Sequence, residues 1–206
     1  MAARKRVGVL VSGSGTNLQA LIDAAKDPSY PAEIALVVSN VATAYALERA
    51  KSAGIASAVI PHGQHKDRAS FDRAIIDALR QNQVEIVCLA GFMRIVGKEL
   101  LDAFGGRVLN IHPALLPSFP GMHAVRQALQ YGAKVTGCTV HFVDEGTDTG
   151  PVIAQVSVPV LETDDEDSLA KRIHAEEHQL YTRALKLVAQ GSTRIEGRAV
   201  RINGPR

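Results

Sequence analysis

Apolar positions along this chain fall into two alternating rhythms. Short runs that are apolar almost throughout cover residues 7–11, 34–38, 56–60, 84–89 and 107–111. Strands buried on both faces read this way, and Val84-Glu85-Ile86-Val87-Cys88-Leu89 is nearly continuous. Between them the apolar residues take helical spacing. Leu18, Leu21 and Ile22 mark a helix over 16–26, and Gly54 stops another over 43–53. Phe71, Ile75, Ile76 and Leu79 mark a third over 67–81. Farther on, 123–131 reads as a helix, 134–143 and 152–160 as longer strands, and 168–189 as a long helix. Residues 193–202 alternate apolar and polar around Gly197, which predicts a hairpin. Past Ile202 the sequence predicts no ordered element.

Strands alternating with helices predict an α/β fold, a mostly parallel twisted sheet with helices on both faces. A chain of 206 residues suits one domain with a large core. In open sheets of this kind ligands bind beyond the carboxyl ends of the strands.

Composition removes several classes of function. Lys plus Arg is 23 and Asp plus Glu 21, a net charge of +2, too slight to argue for a nucleic-acid or membrane surface. Arg4, Lys5 and Arg6 read as a solvated lead-in. The run behind them, 7–11, is too short for a signal core or a membrane span, and no other segment is long enough. Cys88 and Cys138 lie inside apolar runs and read as buried free thiols in a reducing compartment, which points to the cytoplasm.

The strand ends carry the candidate chemistry. After the first strand comes Ser12-Gly13-Ser14-Gly15-Thr16-Asn17 and then a helix. Glycines allow close backbone approach, and a helix N-terminus offers free N–H groups to a phosphate. A dinucleotide fingerprint fails because Leu18 stands at its third glycine and Ser39-Asn40, not an acid, ends the second strand. A P-loop fails because Ser14 stands at the lysine position. A simple phosphate ester fits better than either, with a plain Gly-rich turn as the alternative. After the fourth strand, Ala90-Gly91-Phe92-Met93-Arg94-Ile95-Val96 either lines an apolar slot with an arginine for a carboxylate or is core packing.

Asn110 and His112 on the fifth strand are two residues apart and face one side, while Pro113 ends the strand. An amide that bonds an oxyanion beside an imidazole that moves a proton suits acyl chemistry. A pair of polar strand-end caps is the bland alternative. The loop from Asp144 to Pro151 supplies an acid to orient His112, or is an acidic turn. Spacing does not choose among Asp144, Glu145 and Asp148. His174-Ala175-Glu176-Glu177-His178 matches an inverted zinc-protease pattern. Only Glu196 remains downstream as a further acid, so a solvated helix face or one substrate contact reads better than zinc.

Together these stretches resemble the folate-dependent phosphoribosylglycinamide formyltransferases of purine biosynthesis. The most specific pieces are Ser12 to Gln19, Leu89 to Ile95, Asn110-Ile111-His112-Pro113 with Leu115-Leu116-Pro117, and Asp148-Thr149-Gly150-Pro151. The resemblance covers nearly the whole chain and implies a Rossmann-like formyltransferase fold in a single domain. Residues 1–90 would form its phosphate-binding half, 91–190 its folate and catalytic half, and a short tail would follow. It implies a catalytic trio of Asn110, His112 and Asp148. It implies that Gly13, Gly15, Thr16, Asn17 and Glu177 hold the glycinamide ribonucleotide, with Glu177 on its ribose. It implies that Arg68, Met93, Arg94, Ile95, Val96 and Asn110 contact 10-formyltetrahydrofolate, the co-substrate, with Arg94 on its glutamate tail. No metal, nucleic acid or membrane partner is implied, and the protein would be a monomer or a homodimer.

Three rivals share parts of this pattern. A formyltransferase acting on initiator aminoacyl-tRNA would carry an extra basic carboxyl-terminal domain, where here a short tail follows the last helix. A formyltetrahydrofolate hydrolase would carry an additional amino-terminal regulatory domain, where here the first strand opens the chain. A non-catalytic sensor on the same fold would have lost the trio, which is complete here.

Overall fold

The first strand, β1 (Lys5–Val11), sits near the middle of one sheet because its residues are buried on both sides. The computed structural model describes residues 3–203, so most of the stretch past Ile202 lies outside the described residues. β1 is followed by α1 (Thr16–Ala25), β2 (Ala32–Ser39), α2 (Tyr45–Ser52), β3 (Ser57–Val59) and α3 (Arg68–Gln81). Then come β4 (Ile86–Leu89), α4 (Lys98–Ala103), β5 (Val108–His112), α5 (Ala124–Tyr131), β6 (Val135–Phe142) and β7 (Val152–Pro159). The long α6 (Glu166–Ala189) and the hairpin of β8 (Thr193–Glu196) and β9 (Ala199–Ile202) complete the described chain.

The nine strands form one sheet in the order β3-β2-β1-β4-β5-β6-β7-β9-β8. β3, β2, β1, β4 and β5 run parallel. β6 is antiparallel to both β5 and β7, a reversal that apolar periodicity does not disclose. The tail hairpin forms as its alternation predicts, and it adds to the sheet by pairing Ala199 with Val152.

Alternation along the strands divides the core in two. Val7, Val9 and Val11 of β1, with Ile86 and Cys88 of β4, pack in one cluster with Leu18 and Leu21 of α1 and Ile173, Tyr181 and Leu185 of α6. Leu10, Val87 and Leu89 join the other cluster, with Phe71, Ile75 and Leu79 of α3 and Leu100 of α4. Helices therefore cover both faces, as the strand–helix alternation predicts. α3 is set by a capping box, in which Asp67 accepts from the Ser70 N–H at 2.7 Å. The short α4 escapes the periodicity argument because it holds six residues and fully buries only Leu100. Among the described residues no helix is long and apolar enough to cross a membrane.

Chain order reverses between β1 and β4. β1 leads outward through α1 to β2 and β3, and the chain returns through α3 to lay β4 on the other side of β1. A crevice opens at such a reversal beyond the carboxyl ends of the strands. Leu10 is level with Leu89, and Leu89 with Asn110, so β1, β4 and β5 end side by side. Tyr181 of α6 ties the latter two together, its hydroxyl lying 3.0 Å from the Leu89 carbonyl and 3.1 Å from that of Leu109.

Candidate active site

Two loops leave this common edge, after β1 and after β4, and a third, between β6 and β7, reaches the end of β5; each carries residues that the sequence singles out. The Gly-rich loop leaves β1. Gly15 caps α1 in the left-handed conformation at φ 71, and no side chain caps that helix start. A Cβ on Gly15 would lie 2.7 Å from Cβ of Ala46 in α2, so glycine is required here for both backbone and packing. Gly13 differs: a Cβ there would meet nothing within 4 Å, which leaves its exposed face open to a ligand. Thr16 opens α1, and Asn17 follows in its first turn. The Asn17 amide donates to Glu177 Oε2 at 2.9 Å, and its own oxygen is buried without a partner among the described residues.

Glu177 lies on α6 and is buried. Burial pushes its carboxyl above the usual range, against the hydrogen bond from Asn17 and the charge of His174. His174, His178 and Lys171 instead line a shallow groove along α6. The H-x-x-E-H stretch thus divides between two surroundings, and among the described residues no group of His, Cys, Asp and Glu is gathered to hold a metal ion.

The strip after β4 meets α3 across a cleft of about 540 Å³, lined by Arg68, Phe71, Met93, Arg94, Ile95 and His62. Met93 and Ile95 are largely exposed, an uncommon state for apolar side chains in a cleft wall and a common one where a flat ligand lies. Arg68 and Arg94 give that cleft two cations, and Arg94 donates to Nε2 of His62. Val96 is buried among the core residues of α3 and α4 and does not line the cleft. The Ser12 hydroxyl joins the first loop to the second, accepting from the Met93 N–H at 2.8 Å and donating to Asn40 at 2.6 Å.

The third set gathers around Asp148. Asn110 and His112 project from the end of β5 on one side, as their spacing predicts, and the loop between β6 and β7 brings Asp148 to both. The Asn110 amide nitrogen is 3.4 Å from Asp148 Oδ1, and His112 Nδ1 is 3.4 Å from Oδ2. Of the three acids that spacing left open, Asp148 is the one in contact. Asp144 instead holds its own loop, accepting from Thr149 Oγ1 at 2.6 Å. Asp148 sits at φ 55, in the left-handed region that aspartate tolerates better than most residues.

His112 is buried, and its Nε2 lies 2.8 Å from the Phe119 carbonyl. Both ring nitrogens therefore face oxygens, Nε2 the Phe119 carbonyl and Nδ1 the Asp148 carboxylate. Burial pushes the Asp148 carboxyl up. The neighbouring His141 ring, the Gly121 N–H at 2.7 Å and the charge of His112 outweigh it and hold the carboxyl below the usual range.

His141 escapes sequence reasoning because it lies inside the apolar run of β6. It is buried and directly opposite Asn110 in the antiparallel pair. Its Nδ1 is 2.9 Å from the Phe142 carbonyl, which leaves Nε2 as acceptor, 3.2 Å from the Asn110 amide nitrogen. The same Nε2 is 3.7 Å from Asp148. A polar residue at an inward position of a strand beside Asn110-x-His112 is the signal that would have found it.

Residues 5–185 match the formyl transferase family. The chain is 52% identical over 193 residues to the trifunctional purine biosynthetic protein adenosine-3 of Drosophila pseudoobscura pseudoobscura; that covers 93% of this chain but 14% of the relative's length. It is 43% identical over 182 residues to the phosphoribosylglycinamide formyltransferase of Bacillus subtilis, covering 88% of this chain and 93% of that protein. The crystal structure of glycinamide ribonucleotide transformylase 1 from Symbiobacterium toebii superposes with a TM-score of 0.97 at 50% identity, covering 99% of this chain and 96% of that one.

Proposed function

The chain belongs to the formyl transferase family, and from that premise we propose that it moves a formyl group from 10-formyltetrahydrofolate to the amine of 5-phosphoribosylglycinamide, a step of purine biosynthesis. The observation that carries this reading is the contact of Asp148 with both Asn110 and His112 at the edge where the Gly-rich loop and the cationic cleft also end. The chain acts as one formyltransferase domain over its 206 residues. Its first half, with Gly13, Gly15, Thr16 and Asn17, receives the phosphate end, and Glu177 receives the ribose hydroxyls. In the second half, the cleft of Met93, Arg94 and Ile95 with Arg68 receives the folate, and both guanidiniums suit its anionic tail. Val96 serves that cleft from behind, through packing.

In this mechanism the amine nitrogen attacks the formyl carbon, a C–N bond forms, and the carbonyl electron pair moves to oxygen. Asn110 and the His112 imidazolium stabilise that oxygen. An oxyanion donor of this kind is worth about 3–4 kcal/mol. Both residues face acceptors in the free protein, and the two 3.4 Å contacts to Asp148, from the Asn110 amide nitrogen and from His112 Nδ1, are the longest and the easiest to exchange for a substrate oxygen. The intermediate collapses as the bond to folate N10 breaks. The proton lost by the amine reaches N10 through His112, or through a water shared with Asp148. A positioned acid–base group contributes typically ~10²–10⁴ in rate.

The test is to follow loss of 10-formyltetrahydrofolate with and without the ribonucleotide. Loss only in its presence supports the transferase and its acceptor together. Loss in its absence replaces the reading with hydrolysis.

A further inference from the structure

Asp72 is a fully buried carboxylate that the proposed chemistry does not use. It lies on α3 next to Phe71, one turn beyond Arg68, and both of those neighbours line the cleft. Its Oδ2 accepts from the Gly97 N–H at 2.6 Å, while its Oδ1 is buried with no partner among the described residues. Burial pushes the Asp72 carboxyl up, against the Gly97 N–H and the charge of Arg68. An apolar side chain would suit this core position better, so the acid stays at a cost to the fold.

What the acid holds is specific. The strip 93–96 is anchored to α3 at both ends. Before it, Phe92 stacks on Phe71 with ring centroids 6.4 Å apart and planes at 9°. After it, Gly97 meets Asp72. Between these anchors Met93 and Ile95 are exposed and have little packing of their own. A Cβ on Gly97 would stand 2.3 Å from Asp72 Oδ2, so the glycine is fitted to the acid.

We propose that Asp72 is a positioning residue for the cleft, fixing the strip 93–96 to α3 through Gly97 so that the apolar wall and the two arginines present one preformed surface to the formyl-folate. This rests on the proposed folate assignment of the cleft. Anchoring the strip before binding removes an ordering cost from the donor alone. The effect therefore appears in the KM of the donor and not in that of the acceptor.

The experiment compares wild type, Asp72→Ala, Gly97→Ala, the double variant of these two and Asp72→Asn, measuring donor KM, acceptor KM, kcat and amide hydrogen exchange across 93–97. Asp72→Ala and Gly97→Ala should each raise donor KM roughly five- to tenfold, with acceptor KM and kcat within about twofold, and should speed exchange across the strip. The double variant should be no worse than the worse single, since both break one link. Asp72→Asn, which keeps an acceptor for the Gly97 N–H, should restore most of the donor KM. If Asp72→Ala does not fold, Gly97→Ala carries the test, its backbone at φ −90 being open to alanine. Unchanged donor KM, or equal losses in both KM values and kcat, overturns the proposal. Exchange is read without ligand: faster exchange in the variants of a wild type that does not use formyl-folate would sink the folate assignment while leaving the anchor in place.

Discussion

His141 stands opposite Asn110 across β5 and β6, with its Nε2 3.2 Å from the Asn110 amide nitrogen. The Phe142 carbonyl fixes the proton of His141 on Nδ1, so Nε2 accepts and the amide is held with its nitrogen toward Asp148. His141 thereby orients the group that the mechanism uses at the oxyanion.

His141→Phe should keep the strand buried but leave a polar amide without its acceptor, a loss on the order of 1–3 kcal/mol. Turnover should fall about ten- to hundredfold, with both KM values little changed. Steady-state kinetics decides, and normal kcat would remove His141 from the site.

His112→Ala removes the imidazole ring between Asp148 and the Phe119 carbonyl. We expect kcat to fall by about 10²–10⁴, with either KM moving far less. A large rise in KM at constant kcat would make His112 a binding residue instead.

The two loop glycines should separate in their effects. Gly13→Ala adds a methyl group that meets no protein atom within 4 Å, so it should weaken the ribonucleotide and leave melting temperature unchanged. Gly15→Ala combines a left-handed backbone with a clash against Ala46 and should cost stability as well, about 1 kcal/mol or more. Titration calorimetry with the ribonucleotide and thermal melts read both. Normal binding by Gly13→Ala would remove the phosphate from this loop.

Asp148 predicts a pH dependence with a definite sign. Its folded pKa is depressed below 3.8, so the stabilisation is present in full above that value and fades as pH falls through the folded one. Asparagine tolerates the φ of 55 found at this position, so Asp148→Asn isolates the charge. The variant should melt lower than wild type at neutral pH, and the gap should close in acid, below about pH 4. A gap that widens in acid would contradict the depressed carboxyl.

Much of this site is legible in the sequence, for physical reasons that differ from residue to residue. Asn110 and His112 are two apart on a strand, so one face is forced on them. The core helices announce themselves through spacing, as Phe71, Ile75, Ile76 and Leu79 do in α3. The selection of Asp148 over Asp144 and Glu145 is not local: it depends on where the loop between β6 and β7 closes, a matter of tertiary contact. The same holds for His141, whose role needs the antiparallel register with β5. Asp72 falls on the apolar face of α3, at i, i+3, i+4 and i+7 spacing with Ile75, Ile76 and Leu79, and what it holds is not legible until α4 is known to start against it. Val96 illustrates the converse, since a run of apolar residues that passes from exposed at Met93 and Ile95 to buried at Val96 cannot be divided into cleft and core by composition.

The direct transfer itself is tested by isotope. Donor carrying a ¹³C formyl group and the ribonucleotide are incubated with the protein in ¹⁸O water, and the products are weighed by mass spectrometry. Attack by the amine on the formyl carbon predicts a formylated ribonucleotide that holds the ¹³C and no ¹⁸O in the new formyl group. Labelled formate containing ¹⁸O, or ¹⁸O in the new amide, would show that water reaches the carbon first and would contradict the account.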